Sequence, residues 1–191
     1  MNWSHINIKL QVMEKLGSNL KSKTKIGILG GSFNPAHKGH LAISKEAIKR
    51  FKLKQVIWAI TQKNPFKKKS KTNISDRIKE CKKIIRSNNS IKVRYYEKNI
   101  RSNKTIDLIT HLKRNIKSEI FFLMGADNLI NFHKWYKWKM IAKNCNLIVF
   151  DRFGYKKKSL NSISFKRLKG KNLKFIKFNK VNISSSQLRK I

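Results

Sequence analysis

Acidic residues are scarce in this chain of 191. Nine Asp and Glu stand against 46 Lys and Arg, a formal charge of +37. The basic residues are mostly lysines, spread along nearly the whole length and accompanied by many Ile and Asn. That pattern fits A/T-rich coding better than one basic groove, so no specific nucleic-acid partner is expected, although such a surface steers anions and binds nucleic acid loosely. Cysteine is nearly missing as well. Cys81 and Cys145 have no CxxC spacing and no second ligand type nearby, which argues for free thiols in a reducing cytoplasm and against a zinc site. Long apolar runs are missing too: none approaches the roughly 18 residues that a membrane span needs. The first residues lack the uninterrupted apolar core and small-residue cleavage site of a signal peptide. With two prolines, eight glycines and no internal repeat, nothing marks a linker between domains. The expectation is one domain over 24–191, preceded by an extension over 1–23 with weak helical periodicity at Ile8, Val12 and Leu16. Hydrophobic content of 40%, a quarter of it aromatic, suffices for a sizeable core.

What is present is concentrated between Lys25 and Arg50, KIGILGGSFNPAHKGHLAISKEAIKR. A short apolar run, Ile26–Leu29, ends in Gly30 and Gly31. Ser32-Phe33-Asn34-Pro35 follow, then His37-Lys38-Gly39-His40, then a helical pattern at Leu41, Ile43, Ala47 and Ile48. This reads as strand, tight turn and helix start, where glycines admit a ligand close to the backbone and the new helix offers unpaired N–H groups to an anion. There is no GxxxxGK[ST] and hence no P-loop lysine. Two histidines three apart instead share one side of the first turn, a placement suited to holding phosphate oxygens while their charge redistributes. His5, His111 and His133 have no partners at metal-ligand spacing, and no metal-ligating residue set is expected.

Along the rest of the chain, Gln55–Ile60 reads as a buried parallel strand, and residues from 73 or 75 to about 86 as a helix. Ile91–Tyr95 alternates like a strand, and Thr105–Arg114 has helical spacing. Glu119–Met124 and Asn146–Phe150 read as buried strands, and Trp135–Ala142 as a short amphipathic helix. Residues 152–172, basic and poor in apolar residues, read as a mobile surface segment. Leu173–Phe178 is expected to be a last strand, and Ser184–Lys190 a final helix. Alternating strands and helices predict an α/β fold, a Rossmann-like doubly wound parallel sheet with its site at the strand C-termini.

GGSFNPAHKGH resembles the GxFxPxHxGH signature of the HxGH nucleotidyltransferases. ISSSQLR at 183–189 is similar to their ISSTxIR motif, with Ser186 where threonine is common. Residues 121–155, FFLMGADNLINFHKWYKWKMIAKNCNLIVFDRFGY, resemble the bacterial nicotinate-nucleotide adenylyltransferase family nearly end to end, and Asn64-Pro65-Phe66-Lys67 is similar to its NPxK loop. The resemblance covers about residues 25–191. It implies transfer of AMP from ATP to nicotinate mononucleotide, with Mg2+ accompanying ATP as cofactor and no membrane partner. It implies His37, His40 and Arg189 as catalytic residues. It also implies an ATP site of Gly30, Gly31, Ser32, Phe33, His37, His40, Gly125, Asp127, Ile183, Ser184, Ser185 and Arg189. Asn64, Lys67, Thr105 and Trp135 would bind the mononucleotide, Trp135 by stacking on its ring. Two alternatives stay open: an enzyme like pantetheine-phosphate adenylyltransferase, which shares the HxGH, and a basic nucleic-acid-binding protein. Oligomeric state is not legible.

Overall fold

The computed structural model describes residues 23–62, 72–86 and 88–178. The expected extension up to residue 22, the Asn64–Lys67 loop, and the Ile183–Arg189 segment with its expected final helix therefore lie outside the described residues.

Six strands form one parallel sheet: β1 (Thr24–Gly31), β2 (Gln55–Ile60), β3 (Ile91–Arg94), β4 (Ser118–Gly125), β5 (Asn146–Phe150) and β6 (Leu173–Ile176), in the order β3-β2-β1-β4-β5-β6. Chain order and spatial order part between β1 and β4, which lie side by side in register Ile26 to Ile120 and Leu29 to Leu123. At that switch point the connections diverge to opposite sides and leave a crevice at the strand C-termini.

Helices fill both faces. α1 (Lys38–Phe51) and α2 (Ile74–Ile85) cover one side; α4 (Thr105–Asn115) and α6 (Trp138–Asn144) cover the other, and the single turn α3 (Glu97–Ile100) precedes α4. The strand alternation explains the split. Val56, Trp58 and Ile60 enter the core under α1 and α2, whereas Ile57 and Ala59 enter the opposite core with Ile106, Ile109 and Ile141. Strands buried on both faces read as unbroken apolar runs, and the run QVIWAI is such a strand. Gly27 is the exception within β1. A Cβ there would stand 2.8 Å from Val56 Cγ2 and 3.0 Å from Leu53 Cδ1, so the absent side chain lets the turn after α1 close onto the sheet.

Two expectations fail. Trp135 is not on a helix: α5 (Ala126–Asn131) runs into a 3-10 turn at Phe132–Lys134, Trp135 is extended, and Lys137 at φ 49° restarts the chain into α6. Residues 152–172 are not a loose surface segment either. They contain α7 (Lys156–Leu160) and α8 (Ile163–Leu168), which pack on α5. The segment is anchored by Leu168 and Phe165, which pack into the core, and by small polar groups. Ser159 and Ser164 are fully buried, Ser164 Oγ accepts from the His133 N–H at 2.9 Å, and Ser162 caps α8 through the Phe165 N–H.

Candidate active site

Past Gly31 the chain turns through Ser32 and Phe33 into α1, over the gap between β1 and β4. Phe33 has φ 46°, a left-handed conformation that costs a bulky residue roughly 1–3 kcal/mol and persists only when its surroundings enforce it. They do. Its ring is 2% exposed, stacks on Trp58 at 5.1 Å and lies 4.8 Å from the His40 ring. Phe33 thus offers a ligand only its backbone; its side chain supports His40 from below.

His37 and His40 cap α1 reciprocally. His37 Nδ1 accepts from the Gly39 N–H at 3.1 Å, and His40 Nδ1 accepts from the His37 N–H at 3.2 Å, with ring centroids 3.8 Å apart. This is the geometry of a capping box, built from two imidazoles instead of a hydroxyl and a carboxylate. It has a chemical consequence. A ring nitrogen that accepts carries no proton, so both neutral rings hold their proton on Nε2 and present N–H donors there. Behind them, Ser44 Oγ donates to the His40 carbonyl at 2.8 Å and accepts from Trp58 Nε1 at 2.8 Å. Ser44 and Trp58 are fully buried, so the turn carrying His40 is tied into the core.

A cavity of about 450 Å3 opens over this turn. Gly30, Gly31, Ser32, Phe33, His37, His40, Thr105, Gly125, Asp127 and Trp135 all line it, so ten of the candidate residues, drawn from four separate stretches, meet at one place. Ile183, Ser184, Ser185, Arg189, Asn64 and Lys67 lie outside the described residues. Thr105 opens α4, where Lys104 gives no side-chain cap. Lys104 and Thr105 both line the cavity, so the start of that helix lies at its wall with no capping side chain, while the Asp107 and Leu108 N–H groups donate to the Lys104 carbonyl. Trp135 meets Phe132 and Phe122 edge to face, at 5.3 and 6.1 Å, while part of its ring faces the cavity. Tyr136 beside it is half exposed, with Lys104 Nζ 4.1 Å above its ring. Trp138 packs on Phe132 and on the core, as a structural residue would.

Arg152, Glu97 and Arg77 were not singled out in the sequence, yet each contributes. Arg152 Nη1 donates to Asp127 Oδ2 at 2.8 Å, so one carboxylate oxygen is already engaged by a partner just past β5. Gly125 makes room for that carboxylate, since a Cβ there would come within 2.5 Å of Asp127 Oδ1. Glu97 accepts from Thr61 Oγ1 and, at 3.0 Å, from the Gln62 N–H. Arg77, 3% exposed, donates through Nη1 to the carbonyls of Ser32 and Thr61, each at 2.8 Å, and through Nε to that of Asn73 at 3.3 Å. Burial pulls its guanidinium below the usual arginine range, and the Glu97 carboxylate opposes that shift. Arg152 had one legible signal, its place at the end of a strand in a doubly wound sheet. Arg77 had none, because in a helix full of lysines it looks like another surface cation.

Among the described residues no group of three or more His, Cys, Asp or Glu could hold a metal ion, and no helix is long and apolar enough to cross a membrane. Burial pushes both thiols, Cys81 and Cys145, up to about 12, too high for either to serve as a nucleophile near neutrality.

Comparison with known proteins places this geometry. A family model described as cytidylyltransferase-like matches residues 28–191. A Pelagibacter ubique protein named "Probable nicotinate-nucleotide adenylyltransferase" is 64% identical over 180 residues, covering 94% of this chain and 100% of its own. An Agrobacterium fabrum protein of the same name is 37% identical over 130 residues, covering 68% of this chain and 70% of its own. In fold, the chain is similar to Plasmodium falciparum nicotinic acid mononucleotide adenylyltransferase complexed with NaAD, with a TM-score of 0.70 at 20% identity over 87% of this chain and 83% of that one. With its HxGH turn at the switch point of the sheet and a relative matched over its full length, the chain belongs to the nicotinate-nucleotide adenylyltransferase family.

Proposed function

We propose that this chain transfers AMP from ATP to nicotinate mononucleotide, releasing pyrophosphate and forming nicotinate adenine dinucleotide, a step in making NAD. The observation that carries the proposal is the His37–His40 cap facing the switch-point cavity, in a chain 64% identical to a named relative.

In the reaction an oxygen of the acceptor's phosphate attacks the α-phosphorus of ATP. The new bond joins that oxygen to phosphorus, and the bond to the bridging oxygen breaks, its electron pair leaving with pyrophosphate. The acceptor phosphate is already an anion, so no general base is required. Catalysis is positioning plus stabilisation of moving charge. The Nε2–H groups of His37 and His40 suit the second task, because the cap fixes their tautomer and direction in advance. Backbone N–H groups at Gly31, Ser32 and Phe33, which line the same cavity, would help. Arg189 and Lys67 would neutralise the reacting and leaving phosphates, with Asn64 beside the acceptor and Ile183, Ser184 and Ser185 against the polyphosphate. Gly125 and Asp127 would face the adenosine. Trp135 offers its ring to the pyridine, and the α4 start at Thr105 offers N–H groups to the nicotinate carboxylate. Mg2+ would arrive with ATP, held chiefly by phosphate oxygens and water as that ion prefers. The catalytic domain is read as 24–191 with 1–23 as an extension, working in the cytoplasm, where two free buried thiols are at home.

The test is an ATP-dependent assay with three acceptors side by side: nicotinate mononucleotide, nicotinamide mononucleotide and phosphopantetheine. Pyrophosphate release with the first, and far less with the other two, is expected. A neutral amide turns its NH2 toward helix N–H donors that it cannot satisfy. Turnover of phosphopantetheine alone, or none with any acceptor, would overturn the proposal.

A further inference from the structure

Arg77 does not touch the cavity, yet two of its three partners line it. Its planar fork of donors reaches Ser32 O and Thr61 O, the first residues beyond β1 and β2, and Asn73 O at the start of α2. In a trans peptide the carbonyl and the following N–H point in opposite directions. Pulling Ser32 O toward Arg77 therefore turns the Phe33 N–H away from Arg77, and that N–H has no hydrogen-bond partner among the described residues. The same rule holds at Thr61. There Arg77 takes the carbonyl, while Glu97 takes the Gln62 N–H on the opposite side at 3.0 Å. One peptide is thus gripped from both ends, and the other is gripped at one end with its N–H turned away from Arg77. Lysine could not replace this arrangement, since a point charge on a flexible stem lacks the fork that spans three carbonyls.

We propose that Arg77 is a positioning residue for phosphoryl transfer: it sets the plane of the Ser32–Phe33 peptide, and so the direction of the Phe33 N–H, by clamping the two strand ends together. The proposal rests on the adenylyltransferase function for its kinetic readout but not for its structural one. The variant is Arg77→Lys. It should lower kcat roughly 10–100-fold, as small misplacements of a positioned group do, while the KM for ATP changes less than about threefold. In the protein without substrate, the backbone amide resonances of Phe33 and Gln62 should move, while those of β5 and β6 stay put. A folded R77K with wild-type kcat and unmoved Phe33 and Gln62 amides would overturn the proposal.

If R77K fails to fold, Asn73→Ala decides instead. It removes only the side-chain cap that holds the start of α2, where Arg77 is anchored, and it alters no cavity residue. It should lower kcat severalfold and shift the same two amides; wild-type values for both would sink the idea. Should the wild-type protein turn over no mononucleotide, the function fails on its own, and the amide shifts still decide on Arg77.

Discussion

At the scale of single residues, the site depends on which atoms are already committed. Both histidines spend Nδ1 on the helix cap, leaving Nε2–H as the working donor. His40→Ala should therefore lower kcat by about 10²–10³, the cost of losing one preorganised donor to developing charge, and weaken ATP binding much less. A variant within threefold of wild-type kcat, measured by pyrophosphate release at saturating substrates, would remove His40 from the chemistry. Trp135 behaves differently because its ring is shared between core and cavity. Trp135→Ala should raise the KM for nicotinate mononucleotide about 2–12-fold, the equivalent of roughly 0.5–1.5 kcal/mol of stacking, with ATP affinity nearly unchanged. If ATP affinity fell instead, the tryptophan would be acting only through the core. The histidines were legible in the sequence because their spacing states their geometry. Arg77 and Arg152 were not, because a basic residue in a chain of +37 carries no contrast, and only burial or a partner separates it from the others.

At the scale of elements, periodicity located the sheet and most of its helices. Gln55–Ile60 and Asn146–Phe150 came out residue for residue, because strands buried on both faces have apolar edges that polar neighbours mark sharply. The helix at 74–85 began where an asparagine caps it, Asn73 accepting from the Asp76 N–H at 2.8 Å. The misses have separate causes. α7 and α8 are one or two turns each and are held in part by buried serines, which an apolar-periodicity rule does not register. Trp135 was drawn into a helix because WYKWKM has helical spacing, but Lys137 in a left-handed conformation breaks the run. Gly27 gives the element-scale prediction. Gly27→Ala would force a methyl against Val56 and Leu53, and overpacking of this kind costs about 1–3 kcal/mol. Urea denaturation should show that loss as a lower midpoint with an unchanged slope. A midpoint equal to wild type would mean that the turn after α1 moves aside freely.

At the scale of the whole molecule, the excess of cations acts on arrival rather than on chemistry. ATP and a mononucleotide are both anions, and a surface of +37 attracts them over distances set by the salt. The attraction reaches about 30 Å at 0.01 M ionic strength and about 8 Å at 0.15 M. Among the described residues, only Lys104, Lys134 and Arg152 of these cations line the cavity. The bonds that hold the phosphate turn are made by buried or partly buried groups, His37, His40, Ser44 and Arg77, which salt screens far less. Encounter and turnover should therefore separate when ionic strength is raised over that range. kcat/KM for both substrates should fall several-fold while kcat stays within about a factor of two. Stopped-flow or steady-state assays in sodium chloride, with Mg2+ held constant, would read both quantities. A flat kcat/KM would mean that the lysines contribute nothing to substrate capture and leave coding bias as their whole explanation. A parallel fall in kcat would place the salt-sensitive charges inside the phosphate turn itself, and the groups of that turn would then not be fixed before the substrate arrives.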